Sequence, residues 1–307
     1  MKQQPALYES ALVSAFIRAH KPLYSPKKYG KIIKHQNLIN CSRGVFFMRI
    51  GRFHYRGEIF YGIVEGEMVL PVADPFQSLE PVSGRQFALP ELDLLAPCLP
   101  TKAVCVGLNY RDHALELGMA LPEEPVLFLK PSTAVIGPGE PIVYPAMSRQ
   151  VDYEAELAVV IKKRARQVRE EEAGDHILGY TCANDVTARD LQKKDGQWTR
   201  AKSFDSFLPL GPYIVTGLNP GDREVSLYLN GERKQHSSTA QLIFPVYRLV
   251  SFISRIMTLL PGDVILTGTP AGVGPVQPGD HVEVVVSGIG RLANPVVLQG
   301  GTVPIFA

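Results

Sequence analysis

Apolar residues along the chain fall in short β-branched runs separated by glycine and proline, and only rarely at helical spacing. Between residues 48 and 97 the runs MRIGRFHY, EIFYGIVEG and EMVLPV are punctuated by Gly57, Gly66 and Pro71, the pattern of short strands and tight turns. Beyond residue 100 the runs VLFLK, ELAVVIKK, HILGYTCAND, PLGPYIVTG, EVSLYLNGE, DVILTGT and HVEVVV continue it. Two segments read as helices. NYRDHALELG is stopped by Gly118, where a left-handed C-cap is cheapest, and QLIFPVYRLVSFISRIMTL carries an amphipathic repeat. Strands without regularly interleaved helices disfavour a doubly wound parallel sheet and predict a β-rich α+β fold. The Pro-rich stretch PVSGRQFALPELDLLAPCLP has no periodicity and predicts a boundary near 97–100. Residues 48–97 are expected to form a small β-rich N-terminal domain and 98–307 a larger one, with 1–47 an extension outside the fold.

Composition fits an ordinary globular protein: 307 residues, 45% hydrophobic and 20% charged. The formal charge of +2 hides an asymmetry. Residues 1–44 hold eight Lys or Arg and one acid, Glu9, which leaves 24 basic and 29 acidic residues in the remainder, a net of −5. The body is mildly acidic, so the charge gives no support for nucleic-acid binding by the fold. The most apolar candidate span, YRLVSFISRIMTLL, is broken by Arg248 and Arg255, and no membrane helix is expected. The basic, acid-poor leader loosely resembles an organelle transit peptide, but strand-like text begins abruptly at Met48, which is the expected start. The expected compartment is the cytoplasm, or an organelle matrix if the leader is a transit peptide. Cys41, Cys98, Cys105 and Cys182 lack paired metal spacing and are expected to be reduced. No G-x-G-x-x-G after a strand, no G-K-[ST] and no G-x-S-x-G occurs, which removes the usual support for dinucleotide, P-loop or α/β-hydrolase chemistry.

The segment VDYEAELAVVIKKR is the most informative. Strand alternation puts Glu154, Glu156 and Ala158 on one face, so two carboxylates project side by side. Two like charges that close repel, and a cation would resolve this; all-oxygen ligation selects Mg²⁺ or Mn²⁺ over zinc. The strand HILGYTCAND ends in Asp185, which completes a triad if that strand pairs next to the first. The same spacing also suits a solvated strand face whose acids pair with Lys162, Lys163 or Arg189. In NYRDHALELG, His113 and Glu116 are i and i+3 on one helical face and can touch. A Glu beside a His fixes its tautomer and makes a water-activating base, although an exposed ion pair has the same spacing. TGTPAGVG follows the strand DVIL, and its N–H groups and the Thr269 hydroxyl can cradle a carboxylate; a tight turn would need the same glycines.

Five blocks recur in order from Val106 to Asp280: VGLNYRDHALELG, PVLFLKPSTAVIGPGEPI, DYEAELAVVIKKRAR, GYTCANDVTARDLQKKDGQWTRAKSFDSFLPLGP and ILTGTPAGVGPVQPGD. On these the chain resembles the fumarylacetoacetate hydrolase superfamily, which includes acylpyruvate hydrolases, oxaloacetate decarboxylases and tautomerases, and 2-hydroxyhepta-2,4-diene-1,7-dioate isomerases. The resemblance implies a mixed β-sheet roll preceded by a small N-terminal β domain. It implies Glu154, Glu156 and Asp185 as Mg²⁺ or Mn²⁺ ligands, and His113 with Glu116 as general base and orienting partner on a lid. It implies Lys202 as stabiliser of the developing charge, and Lys130, Gln192 and Thr269 as substrate contacts. It also implies a homodimer. Leu108 departs from the Arg that several acylpyruvate-type relatives carry before the Asn-Tyr pair, which weakens transfer of substrate preference.

The reaction this implies is C–C hydrolysis of an acylpyruvate-type 2-oxo acid. Isomerisation, tautomerisation or decarboxylation through the same enolate chemistry are the alternatives, and a non-catalytic binding protein is the outside one. No group assigned above precedes Asn109. A chain beginning at Met48 is therefore expected to keep its melting temperature and rate while its pI turns acidic, as calorimetry and isoelectric focusing would show. A fall of more than about 5 °C would instead mean that ALVSAFIRAH docks on the body through Leu12, Phe16 and Ile17.

Overall fold

The structure, a computed structural model, describes residues 47–300, so the expectation for residues 1–47 lies outside the described residues save Phe47. Its β-rich character follows from the short apolar runs. Ten strands form the main path of a twelve-stranded sheet. In spatial order they are Phe87–Ala88, Met68–Val72, Glu58–Glu65, Arg49–Tyr55, Leu208–Val215, Ile177–Asn184, Ala155–Ile161, Val264–Leu266, Lys102–Gly107 and Val126–Pro131. Neighbours on this path are antiparallel except Val264–Leu266 against Lys102–Gly107, which makes the sheet mixed. The N-terminal strands join it directly, since Arg49 and Ile50 pair with Val215 and Ile214. A five-stranded sheet includes Glu232–Ser238, Glu224–Leu229 and His281–Val286, and a three-stranded one joins Thr187–Ala188, Val151–Tyr153 and Gly274–Val276.

The strand Ala155–Ile161 is buried at every residue, as its unbroken apolar run requires. Its two faces belong to different cores. Leu157, Val159 and Ile161 pack with Leu249, Val250 and Ile253 and with Val225, Leu227, Val282 and Val284 of the five-stranded sheet. Ala158 and Val160 pack with Ile50, Cys105, Leu178, Leu208 and Leu266. Burial on both sides fixes the register of this strand, because a one-residue slip would exchange its two side-chain sets.

The expected helix in QLIFPVYRLVSFISRIMTL is confined to Val246–Ile256, where Val246, Leu249, Val250 and Ile253 form the buried stripe. Pro245, at the N-cap, sets its start by lacking an N–H and by disfavouring helical backbone at residue 244. The residues before it serve another purpose. Asn109 donates to the carbonyls of Phe244 and Thr267 and accepts from the Phe244 N–H, which ties the approach to this helix to the loop after Leu266. Helix Arg111–Leu117 ends as expected at Gly118, whose φ of 62° turns its N–H back onto the last carbonyls. Cys98, Cys105 and Cys182 are buried and free, and burial pushes the Cys98 and Cys182 thiols up to about 12, so neither is a nucleophile at neutral pH. Among the described residues no helix is long and apolar enough to cross a membrane.

Asp263 closes the junction between the parallel strands. Fully buried, it accepts from Thr101 N, Thr101 Oγ1 at 2.6 Å, Leu260 N at 2.9 Å and Lys102 Nζ at 2.5 Å. Asp263→Ala is expected to cost about 3–5 kcal/mol in a urea titration, since it strands several donors and a lysine at once. A loss under about 1 kcal/mol would show that water replaces the carboxylate.

Candidate active site

The sequence text VDYEAELAVV reads as one strand, but the chain changes sheets in the middle of it. Val151–Tyr153 belongs to the three-stranded sheet and Ala155–Ile161 to the large one, with Glu154 at the crossing. The crossing is held by hydrogen bonds from Glu154 N to Asn184 Oδ1 at 2.9 Å and from Asp185 N to Glu154 O at 2.8 Å. Because Ala155 pairs with Asn184 and Glu156 with Ala183, the strand Ile177–Asn184 delivers Asp185 beside Glu154. The outcome is three buried carboxylates, Glu154, Glu156 and Asp185, with one oxygen of each lying within 4.8 Å of the others.

Each acid is compensated differently. Lys202 Nζ donates to Glu154 Oε2 at 2.9 Å and Asp185 Oδ2 at 2.7 Å. Arg189 donates to the other Glu154 oxygen, to Asp152 Oδ2 at 2.8 Å and to Gln192 Oε1 at 2.7 Å. Burial alone would raise the Glu154 carboxyl, but Lys202 and Arg189 outweigh it and hold the group at about 2. Glu156 has no such partner. Burial, then the charges of Asp185 and Glu154, push it well above the usual carboxylate range, against which the Gly268 N–H is the main relief. Gly268 donates from a φ of 101°, and a Cβ there would meet Asn109 Cβ at 2.8 Å, so this residue must be glycine.

Lys130 is fully buried and donates to the carbonyls of Val186, Lys202 and Phe207 at 2.7–2.9 Å. Its three protons are thereby used. It still lies 2.8 Å from Asp185 Oδ1, an ion pair without a hydrogen bond, and that buried oxygen has no hydrogen-bond partner. A carboxylate oxygen met only by a lysine whose protons go to carbonyls, a Glu156 without a counter-charge of its own and an all-oxygen donor set together fit a hard divalent cation, and nothing in the set favours a soft one.

His113 and Glu116 touch, with Nδ1 2.9 Å from Glu116 Oε2. Glu116 accepts through its other oxygen from the Gly272 N–H at 3.0 Å, so the helix is docked on the glycine-rich loop. With Nδ1–H given to the carboxylate, Nε2 is the nitrogen left to accept a proton. The Thr269 hydroxyl donates to the Ala155 carbonyl at 2.9 Å and accepts from Gln235 Nε2 at 2.8 Å, so its own proton is already committed.

Glu154, Glu156, Asp185, Lys130 and Lys202 thus form one cluster, while Gln192 stands one contact away on Arg189 and Thr269 lies against the backbone of Ala155. His113 and Glu116 approach through the loop Gly268–Gly272. Arg189 does pair with Glu154, as a solvated face would have required, but the carboxylate is buried and the pair is part of the cluster. Sequence reasoning gave no role to Asp152, Asn184, Asn109 or Gln235. Only the short spacing of Asp152 to Glu154 and of Asn184 to Asp185 hinted at two of them.

A family model for the fumarylacetoacetate (FAA) hydrolase C-terminal domain matches residues 102–297, and one for an Rv2993c-like N-terminal domain matches 48–97. An uncharacterized protein of Archaeoglobus fulgidus is 54% identical over 248 residues, 81% of this chain and 96% of its own length. The mitochondrial oxaloacetate tautomerase fahd2 of Xenopus laevis is 45% identical, covering 67% of this chain and 69% of the relative. Among solved structures, a 2-hydroxyhepta-2,4-diene-1,7-dioate isomerase from Mycobacterium marinum superimposes with a TM-score of 0.77 at 47% identity, covering 83% of this chain and all of the other. A maleylpyruvate hydrolase from Sphingobium, in complex with manganese and pyruvate, gives 0.68 at 30% identity over 82% and 99% of the two chains.

The raised Glu156 makes a prediction with a definite sign. A carboxyl whose folded value lies above its unfolded one adds stability that is complete below the unfolded value, near 4.5, and is lost as pH rises toward the folded value. Chelator-treated Glu156→Gln is therefore expected to melt higher than wild type at pH 7–8, with the advantage vanishing toward about pH 4. An unchanged or lower melting temperature at pH 8 would show that the cluster tolerates three charges.

Proposed function

The chain belongs to the fumarylacetoacetate hydrolase family, and from that premise we propose that it is a divalent-cation-dependent enzyme that moves a proton at the carbon beside the keto group of a 2-oxo acid. The observation that carries this reading is the docking of the His113–Glu116 pair on the same loop that holds Glu156. Glu154, Glu156 and Asp185 would hold Mg²⁺ or Mn²⁺. When bound, the ion supplies a Lewis acid for the carboxylate and keto oxygens of the substrate. His113 Nε2 takes the carbon-bound proton and returns it to oxygen or to another carbon, while Glu116 fixes the ring and balances its positive charge. Lys202 offsets the negative charge that develops as the proton leaves. Gln192 through its amide, and Thr269 through its backbone N–H since its hydroxyl proton is committed to Ala155, contact the acid groups of the substrate. Lys130, whose protons are spent on carbonyl oxygens, acts by holding the Asp185–Val186 turn in place.

C–C hydrolysis of an acylpyruvate is the second reading, favoured by the manganese and pyruvate of the maleylpyruvate hydrolase. It uses the same base on a water. We place proton transfer first for two reasons. Relatives named for it are 45–47% identical, against 30% for that hydrolase. The His113 side chain is also only 12% exposed, a partly covered setting that suits direct proton transfer to and from a bound substrate.

The test is to follow Mn²⁺-loaded protein by NMR with oxaloacetate, unsaturated hydroxy-diacids and acylpyruvates. Isomerisation or tautomerisation with no pyruvate released is expected; pyruvate from an acylpyruvate would favour hydrolysis, and inertness toward all three would remove both readings. Excess EDTA should abolish turnover. His113→Ala should lower kcat by roughly 10²–10⁴ with Mn²⁺ affinity nearly unchanged. If that variant lost the metal as well, the division between base and ligands would be wrong.

A further inference from the structure

Gln235 lies on the strand Glu232–Ser238, outside the segments that carry the family resemblance, and it is 1% exposed. Its side chain is fully engaged. Oε1 accepts from the Ala155 N–H at 2.9 Å, and Nε2 donates to Thr269 Oγ1 and to the Pro270 carbonyl, each at 2.8 Å. Thr269 closes the ring by donating its hydroxyl to the Ala155 carbonyl at 2.9 Å. Both backbone groups of the residue between Glu154 and Glu156 therefore end on one Gln–Thr pair.

The glycine-rich loop is pressed onto the same strand a second time. At Gly272, φ is 94° and a Cβ would lie 2.3 Å from the Lys234 carbonyl oxygen, so only glycine lets the two backbones meet. From that contact the Gly272 N–H reaches Glu116, which holds His113. Two residues beyond Gln235, the Ser237 hydroxyl donates to Asp112 in the first turn of the same helix. One strand thus touches the peptide that spaces the carboxylates, the loop beside them and the helix that carries the base.

We propose that Gln235 is a positioning residue that sets the register between the Glu154–Glu156 pair and the loop on which the base-bearing helix docks. An amide suits this because it presents one acceptor and two donors in a rigid plane, and every partner is a backbone group or a hydroxyl that burial would otherwise leave unpaired. Replacing it by an apolar side chain of similar length strands the Ala155 N–H and the Pro270 carbonyl and frees the loop to shift. The proposal rests on the functional reading above for its catalytic meaning, but its mechanical content stands without a metal.

The experiment compares wild type with Gln235→Met and Thr269→Val. Amide exchange is followed by mass spectrometry on metal-free protein, and Mn²⁺ titration and turnover are measured in parallel. Gln235→Met is expected to speed exchange in residues 111–118 while leaving the helix Val246–Ile256 unchanged. It should also weaken Mn²⁺ binding or turnover by roughly 10–100-fold. A merely structural glutamine would speed exchange everywhere or only in its own strand. Thr269→Val removes the hydroxyl link and keeps the side-chain shape, and because Thr269 is itself a proposed substrate contact it carries the amide-exchange comparison alone if Gln235→Met does not fold. Unchanged exchange in 111–118 in the folded variants would overturn the proposal. If wild type takes up no Mn²⁺, the functional reading falls instead, and the exchange comparison still decides the positioning.

Discussion

Three carboxylates buried within reach of one another are a constraint that the surrounding structure has to meet before any chemistry is possible. Each ionised group removed from water costs several kcal/mol unless it is paired, and placing three together adds mutual repulsion. Lys202 and Arg189 bracket Glu154, Lys202 and Lys130 bracket Asp185, and Glu156 is left with the Gly268 N–H as its main relief. The cations come from four-residue and seven-residue helices and from an edge strand of the large sheet, so their positions depend on the packing of elements far apart in sequence. Lys130 shows how tight this dependence is. Its ammonium collects carbonyls from Val186, Lys202 and Phe207, and so ties the segment carrying one acid to the segment carrying its counter-charge.

The central strand makes that arrangement rigid. Ala155–Ile161 is buried on both faces, paired along one edge with Ile177–Asn184 and over Ala158–Val160 with Val264–Leu266, and Glu156 sits near its start, paired with Ala183. The His113–Glu116 pair is held differently. His113 and Glu116 ride on a seven-residue helix whose Leu115 is 83% exposed, and Glu116 joins the loop through a single backbone N–H. Under the proposed roles, Glu156 is fixed on a doubly buried strand, while the His113–Glu116 pair sits on a short surface helix tied to the body at Gly272, Ser237 and Leu242.

Much of this was legible in the sequence because the determining signals are local. The unbroken run AELAVVI announces a strand buried on both sides, Gly118 announces a helix end, and the two-residue spacing of Glu154 and Glu156 survives the crossing between sheets that strand alternation does not foresee. What stayed hidden are partners joined only by folding. Gln235 is 80 residues from Ala155, and Asn109 is 135 from Phe244; nothing in LNGERKQHSST distinguishes a buried amide from the polar face of an exposed hairpin. Lys130 and Thr269 were legible as residues but not as geometry, because which protons are already spent is a property of the packed state. The helix Val246–Ile256 was overextended at its start for a similar reason: Leu242, Ile243 and Phe244 continue the apolar text, but they form a non-helical approach tied to Asn109 ahead of Pro245.

In the proposed reading, the choice between moving a proton and breaking a carbon–carbon bond turns on water, since both reactions would use the same acids for the cation and His113 as the base. Hydrolysis requires a water held between His113 and the substrate in the closed state, whereas tautomerisation is better served by its absence. The imidazole is partly covered and its Nδ1 is taken by Glu116, so a water activated by His113 would meet the ring at Nε2. The cluster of carboxylates can therefore remain the same across a family whose members differ in reaction. In this chain the docked helix meets the glycine-rich loop through the Gly272–Glu116 hydrogen bond, so solvent access at that contact bears on which of the two reactions the site would favour.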